Sequence, residues 1–247
     1  MSRVSRHFTR MRYIRLTAVL LLLAACGDST TAPTTPVATS VTMSPTSLLF
    51  ASLGDAQQLS ATVKDQNGAT MSGATVTWTT SAASVAMLSS AGLLTSVADG
   101  SATITATSGS ASATATVSVA QVAATLSLSD SALTFNSLAD TTQLTATVTD
   151  ANGQVIDGAT VTWTTSNDTV ATVSSTGLVT SVADGSATIT ATSGEASATA
   201  SVAVGQVAAA VSLSDSILTF ASLADTTQLT ATVTDANGQV IDGATVT

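Results

Sequence analysis

The residues most often used as catalytic base, thiol nucleophile or zinc ligand, histidine and cysteine, are confined to the first 26 of 247 residues. His7, Tyr13 and Cys26 are each the only residue of their kind, and Arg3, Arg6, Arg10, Arg12 and Arg15 precede the same point. Beyond Cys26 there remain one base, Lys64, and all fifteen Asp and Glu residues. Without histidine or a spare thiol, Ser-His and Cys-His catalysis and His-ligated zinc are excluded from this acidic part. A polyanion lacking arginine does not neutralise phosphates, so nucleic acid is excluded as a partner. No catalytic, cofactor-binding or metal-ligating set is expected.

The carboxylates offer two chemistries, and both weaken on inspection. In Asp150-Ala-Asn152-Gly153-Gln-Val-Ile-Asp157 acid and amide oxygens alternate, as calcium requires. An EF-hand loop needs Glu eleven residues after Asp150, where Val161 stands, and an earlier copy of this segment has Ser72 in place of Asp157. The other reading is a tight hairpin turn in which Asn-Gly supplies positive φ. Paired carboxylates could serve glycoside hydrolysis. Yet Asp55, Asp140 and Asp225, like Asp99 and Asp184, recur at equivalent places, which suits loop roles such as capping backbone N–H groups.

Cys26 stands at a boundary. Residues 16–25, Leu-Thr-Ala-Val-Leu-Leu-Leu-Leu-Ala-Ala, form an apolar run of ten behind the basic segment. A spanning helix needs about 20 apolar residues, so residues 1–25 read as a signal peptide, with Met1 or Met11 as its start. The run ends in Leu23-Ala24-Ala25-Cys26, which resembles the bacterial lipoprotein lipobox. That resemblance implies a diacylglycerol on the Cys26 thiol, cleavage before it and a membrane partner through this anchor. The alternative is an ordinary signal peptide in which Cys26 is incidental. Residues 26–37, small and polar with two prolines, read as a flexible tether. Gly27 after the cysteine favours the outer membrane by resemblance to the enterobacterial sorting rule, with Asp28 against it.

The rest repeats every 85 residues. Phe50, Phe135 and Phe220 keep this step, as do Trp78 and Trp163, and Asn67-Gly68, Asn152-Gly153 and Asn237-Gly238. Residues 122–162 and 207–247 differ at four positions only: 125/210, 126/211, 132/217 and 136/221. The units are 38–121, 122–206 and a truncated third, 207–247, from which a longer gene is expected. Within a unit the period is two: Leu144, Ala146 and Val148 alternate with polar neighbours, as do Ala187, Ile189 and Ala191. That is the pattern of a half-buried strand with threonine outside. Seven or eight short strands per unit predict an antiparallel β-sandwich, near 124–129, 132–136, 142–150, 159–166, 169–174, 178–183, 186–193 and 196–204, with no helix beyond the signal. Short junctions without a Pro- or Ser-rich spacer predict limited bending between units, and the third unit should expose an unpaired sheet.

Val161-Thr-Trp-Thr-Thr-Ser-Asn-Asp-Thr-Val-Ala-Thr-Val-Ser-Ser-Thr-Gly-Leu-Val-Thr, followed by Ala183-Asp-Gly-Ser-Ala-Thr-Ile-Thr-Ala-Thr, resembles the bacterial immunoglobulin-like (Ig-like) domain, group 2, and residues 76–107 repeat it. The resemblance implies an all-β fold of tandem Ig-like sandwiches, found in intimin- and invasin-like adhesins and other cell-surface proteins, with no catalytic residue to carry over. Each complete unit has one Trp and one Phe and no disulfide. Trp78, Trp163, Phe50 and Phe135 are therefore the expected structural core, the Trp as its central packing element; the other reading is an exposed Trp gripping a sugar ring. The functional expectation is a lipid-anchored surface stalk or adhesion module, with an unidentified surface polysaccharide or protein as ligand. A spacer array presenting an enzyme or carbohydrate-binding domain encoded beyond residue 247 is the alternative.

Overall fold

The computed structural model describes residues 35–247, and no helix occurs among them. The signal segment, Cys26 and the tether to residue 34 lie outside the described residues. Pro36–Thr247 form one compact unit of strands. The first repeat holds β1 (Ala38–Ser44), β2 (Ser47–Phe50), β3 (Ala56–Gln58), β4 (Ser60–Asp65), β5 (Thr77–Thr80), β6 (Ala86–Leu88), β7 (Leu93–Ser96), β8 (Gly100–Ser108) and β9 (Ala111–Val119). The second repeats it as β10 (Thr125–Leu128), β11 (Ala132–Phe135), β12 (Thr141–Gln143), β13 (Ala146–Thr149), β14 (Thr162–Thr165), β15 (Ala171–Val173), β16 (Leu178–Ser181), β17 (Gly185–Ser193) and β18 (Ala196–Val204). The third supplies β19 (Ala210–Leu213) and β20 (Ala231–Thr234).

In the second unit one layer is the four-stranded sheet β11-β18-β17-β14. The other is made of β10-β13 and β12-β16-β15, and the first unit has the same order. Three features depart from the sequence reading. The sandwich is not wholly antiparallel, because β11 runs parallel to β18 from Ala132↔Ser201 to Phe135↔Val204, as β2 does to β9. The opening strand starts in one layer, on β13, and crosses to the other without reversing, so it meets the last strand in parallel. The segment expected as one strand over 142–150 is two, β12 on β16 and β13 on β10. The change of partner falls at Leu144, whose side chain is completely buried and whose N–H donates to the Gly177 carbonyl (3.0 Å). The segment before Trp163 is paired only from Thr162, and residues 159–161 lead into it from the turn at Asp157-Gly158.

Alternation places the core. Along β17 the sequence Gly-Ser-Ala-Thr-Ile-Thr-Ala-Thr-Ser buries Ala187, Ile189 and Ala191 and turns the threonines away from the core. Leu144, Ala171, Val179, Ile189, Ala191 and Ala200 are all completely buried, as are Ala86, Leu94, Ile104 and Ala106 in the first unit. Phe50 and Phe135 are buried, at 6% and 4% exposure. Trp78 and Trp163 are half-buried and cover the core from its flank, and Trp163 packs against both clusters of the second unit. In the third unit Phe220 stands 55% exposed, since the segments matching 163–204, which bury Phe135, are not part of this sequence.

The indole seat requires glycine. Gly177 has φ +87°, and a Cβ there would lie 2.5 Å from the Leu144 carbonyl oxygen and 2.8 Å from Trp163 Cζ2. Both the left-handed backbone and the ring lying flat on it exclude a side chain. Gly177→Ala is therefore expected to destabilise the second unit by at least about 2 kcal/mol, from backbone strain and overpacking together. In a Trp78→Phe background, where Trp163 fluorescence reports the second unit alone, its midpoint should fall by about 10 °C. A midpoint within about 2 °C of the parent, where a few tenths of a kcal/mol would put it, would contradict this seating.

Candidate functional site

The polar groups withdrawn from water gather where one unit meets the next. Asp150 directly follows β13 and is 1% exposed. Its Oδ1 accepts the backbone N–H groups of Asn152 (3.0 Å) and Gln154 (2.9 Å), and the Gly153 N–H donates to the Asp150 carbonyl (3.0 Å). This is the hairpin turn foreseen from Asn152-Gly153, although only Gly153 takes positive φ (77°). The other oxygen reaches the preceding unit: Oδ2 accepts the Leu53 N–H (2.8 Å) and Gln121 Nε2 (2.9 Å). Asn152 Nδ2 then donates to the Leu53 carbonyl (2.9 Å) and to Asp55 Oδ1 (2.8 Å).

Gln121 lies in the linker itself. Its backbone N–H donates to Asp99 Oδ1 of its own unit (2.9 Å), while its side chain reaches Asp150 and the Val155 carbonyl of the next. The linker is thus fastened at both ends by one residue. Every one of these bonds recurs 85 residues on, with Asp235, Asn237 and Gln206 joined to Leu138, Asp140, Asp184 and Val240. The loops that present Leu53 and Leu138 pass through a left-handed residue, Gly54 (φ 82°) and Ala139 (φ 61°). Alanine accepts about 1–2 kcal/mol of strain there, and its N–H is held on the Ser181 carbonyl (3.0 Å).

Electrostatically the junction is unusual in having no cation. Burial alone pushes the Asp150 carboxyl upward, but the bonds from Gln121, Leu53, Gln154 and Asn152 outweigh it and hold the group below its ordinary 3.8. Asp235 is governed likewise, with burial opposed by Gln206, Leu138, Gln239 and Asn237. Asp99 and Asp157 line a shallow cleft beside this contact, with Leu53, Ala98, Gln121 and Val155. Among the described residues no group of three or more His, Cys, Asp or Glu is arranged to hold a metal ion.

Asp99 and Asp184 accept linker N–H groups and Asp225 accepts the Ser222 N–H (2.9 Å), the capping foreseen for these acids. Asp55 and Asp140 instead receive the amide of the following unit. Gln121 and Leu53, with their repeats, were passed over by the sequence reading, and Asn152 was read only as a turn residue. Comparison of the copies does not single them out, since the Asp and Asn of the clamp stand in all three. The receiving segments Thr149–Asp157 and Thr234–Asp242 are identical, whereas the matching Lys64–Ser72, which no unit precedes among the described residues, keeps only Asp65, Asn67 and Gly68.

Comparison with known proteins agrees with this architecture. The model of the bacterial Ig-like domain (group 2) matches residues 37–119 and 122–204. No curated protein matches the chain by sequence. Among solved structures, the surface layer protein SbsC, domains 1–6, is 24% identical with TM-score 0.35, covering 74% of this chain and 27% of its own length. The Yersinia pseudotuberculosis adhesin InvE is 15% identical with TM-score 0.37, covering 66% of this chain and 58% of its own. Human Protocadherin-24 EC1-2 is 11% identical with TM-score 0.29, covering 70% and 99%. The chain therefore spans only about a quarter of the SbsC structure. With two complete copies matched in tandem, over more than half of its length, the chain belongs to the bacterial Ig-like domain (group 2) family.

Proposed function

We propose that this chain is a non-catalytic lipoprotein of the cell envelope whose Ig-like units act as a stalk or adhesion module. Lipid on Cys26 holds the chain at the membrane, residues 26–37 give it swing, and the units carry a contact surface outward. The observation that supports this reading best is the repeated clamp between units. A device that fixes successive domains end to end has value in a part that must project. The ligand is a surface polysaccharide or protein met by the array, and the fifteen acids without arginine keep neighbouring arrays apart in water.

The anchor is the testable root. Cells expressing the full chain and fed a palmitate analogue should yield labelled protein in the membrane fraction, and Cys26→Ala should abolish the label and move the protein out of that fraction. Protease added to intact cells should remove the units from the wild type if they are displayed outside. Label retained in Cys26→Ala, or absent from the wild type, would defeat the lipoprotein reading and leave the family assignment untouched.

A further inference from the structure

We infer that each junction is a locked joint of fixed geometry, held by one carboxylate whose two oxygens have separate tasks, so that the joint can be released without unfolding either unit. Oδ1 of Asp150 shapes the turn of its own unit, and Oδ2 binds only the preceding unit and its linker. The division is visible in the first unit. There Asp65 Oδ1 accepts the N–H groups of Asn67 and Ala69 (both 2.9 Å), forming the same turn. No inter-unit bond to Asp65 exists among the described residues. The turn therefore forms without the lock.

Fixed geometry follows from repetition. The Leu N–H bond to the carboxylate is 2.8 Å at both junctions. The Gln Nε2 bond is 2.9 and 3.0 Å, and the Asn amide bonds are 2.9 and 2.8 Å at each. Four directional bonds converging on Asp150 Oδ2 and Asn152 Nδ2, together with the covalent linker, restrict how one unit can turn on the other. The second unit is placed on the first as the third is on the second, and the array advances by a constant screw step. Domain pairs without such a joint move relative to each other by default.

The groups facing the lock are Asp55 and Asp99 from the earlier unit and Asp157 from the later one, and none of the residues lining the junction is basic. All donors to Asp150 are neutral N–H groups, so the four bonds are strongest while the carboxyl is ionised, and protonation turns one of its oxygens into a donor. Its carboxyl is held below 3.8 in the folded chain. A group depressed in this way keeps its contribution at every pH above the ordinary carboxylate value and loses it as pH falls through the lowered one. The lock should hold at neutral pH and open in acid.

Spin labels on Thr103→Cys and Thr188→Cys, both in exposed strand positions of successive units, in a Cys26→Ser background of the full chain, read the joint directly by pulsed dipolar spectroscopy. The parent should give one narrow distance distribution from pH 7 to about 4, broadening below the ordinary carboxylate value. Gln121→Ala combined with Asn152→Ala removes only side chains that bond across the junction. It should broaden the distribution about twofold at pH 7, as a pair of freely articulated domains would, while the Trp163 fluorescence midpoint stays unchanged. Asp150→Asn should do the same and abolish the pH response. Equal widths in the parent and the double variant, whether narrow or broad, would overturn the lock. So would a double variant whose second unit melts with the junction.

Discussion

Each unit has to close two sheets over a core made almost entirely of small aliphatic side chains, and every other feature is adapted to that constraint. Alanines at 86, 106, 171, 191 and 200 are completely buried, so the layers approach closely where they stand and only a few larger groups fit between them. Leu144, Val179 and Ile189 fill the centre and the single Phe closes one side. The indole then covers the flank where β14 and the strand change at Leu144 leave the sandwich open, and Gly177 provides the bare backbone on which it lies. A domain of this size hides only about 60–65% of its unfolded surface. With no disulfide, the seat of one ring carries a large share of a stability of roughly 5–15 kcal/mol.

The junction obeys a different economy. A carboxylate without a cation is costly to bury unless its lone pairs are filled, and here four N–H donors fill them. Two of those donors belong to the preceding unit and its linker. The same group is therefore satisfied only when the units are docked in one way. Any slipped arrangement leaves the charge with half its partners, a penalty of order 1–3 kcal/mol or more for a buried acceptor. Because the donors are a linker side chain and a loop amide, rather than core strands, the penalty falls on orientation and not on folding.

How much of this was legible in the sequence follows from the range of each interaction. Period-two alternation in segments such as Ala187–Ala191 is local, so the strands and their buried faces could be read directly, as could the turn at Asn152-Gly153. The split of the long strand at Leu144 was not legible. It depends on which neighbour each half meets, and those neighbours, β10 and β16, lie on opposite sides of it in sequence. The parallel pairing of β11 with β18 has the same origin. Asp150 looked like a turn residue because its local bonds are those of a turn. Its second oxygen answers to residues 97 and 29 positions away, and no local pattern encodes them.

Near-identity of neighbours adds a final reason for a polar joint. The second and third units, which differ at four of 41 aligned positions, present nearly the same edges and faces, and apolar contacts between them would tolerate many registers. Strand-edge pairing between adjacent copies is the corresponding hazard. A buried carboxylate fixed by directional bonds discriminates where an apolar patch would not, since misdocking strands the charge while costing an apolar contact little. Supplying the donor from Gln121, one residue that also fastens the linker to Asp99, ties the discrimination to the covalent neighbour.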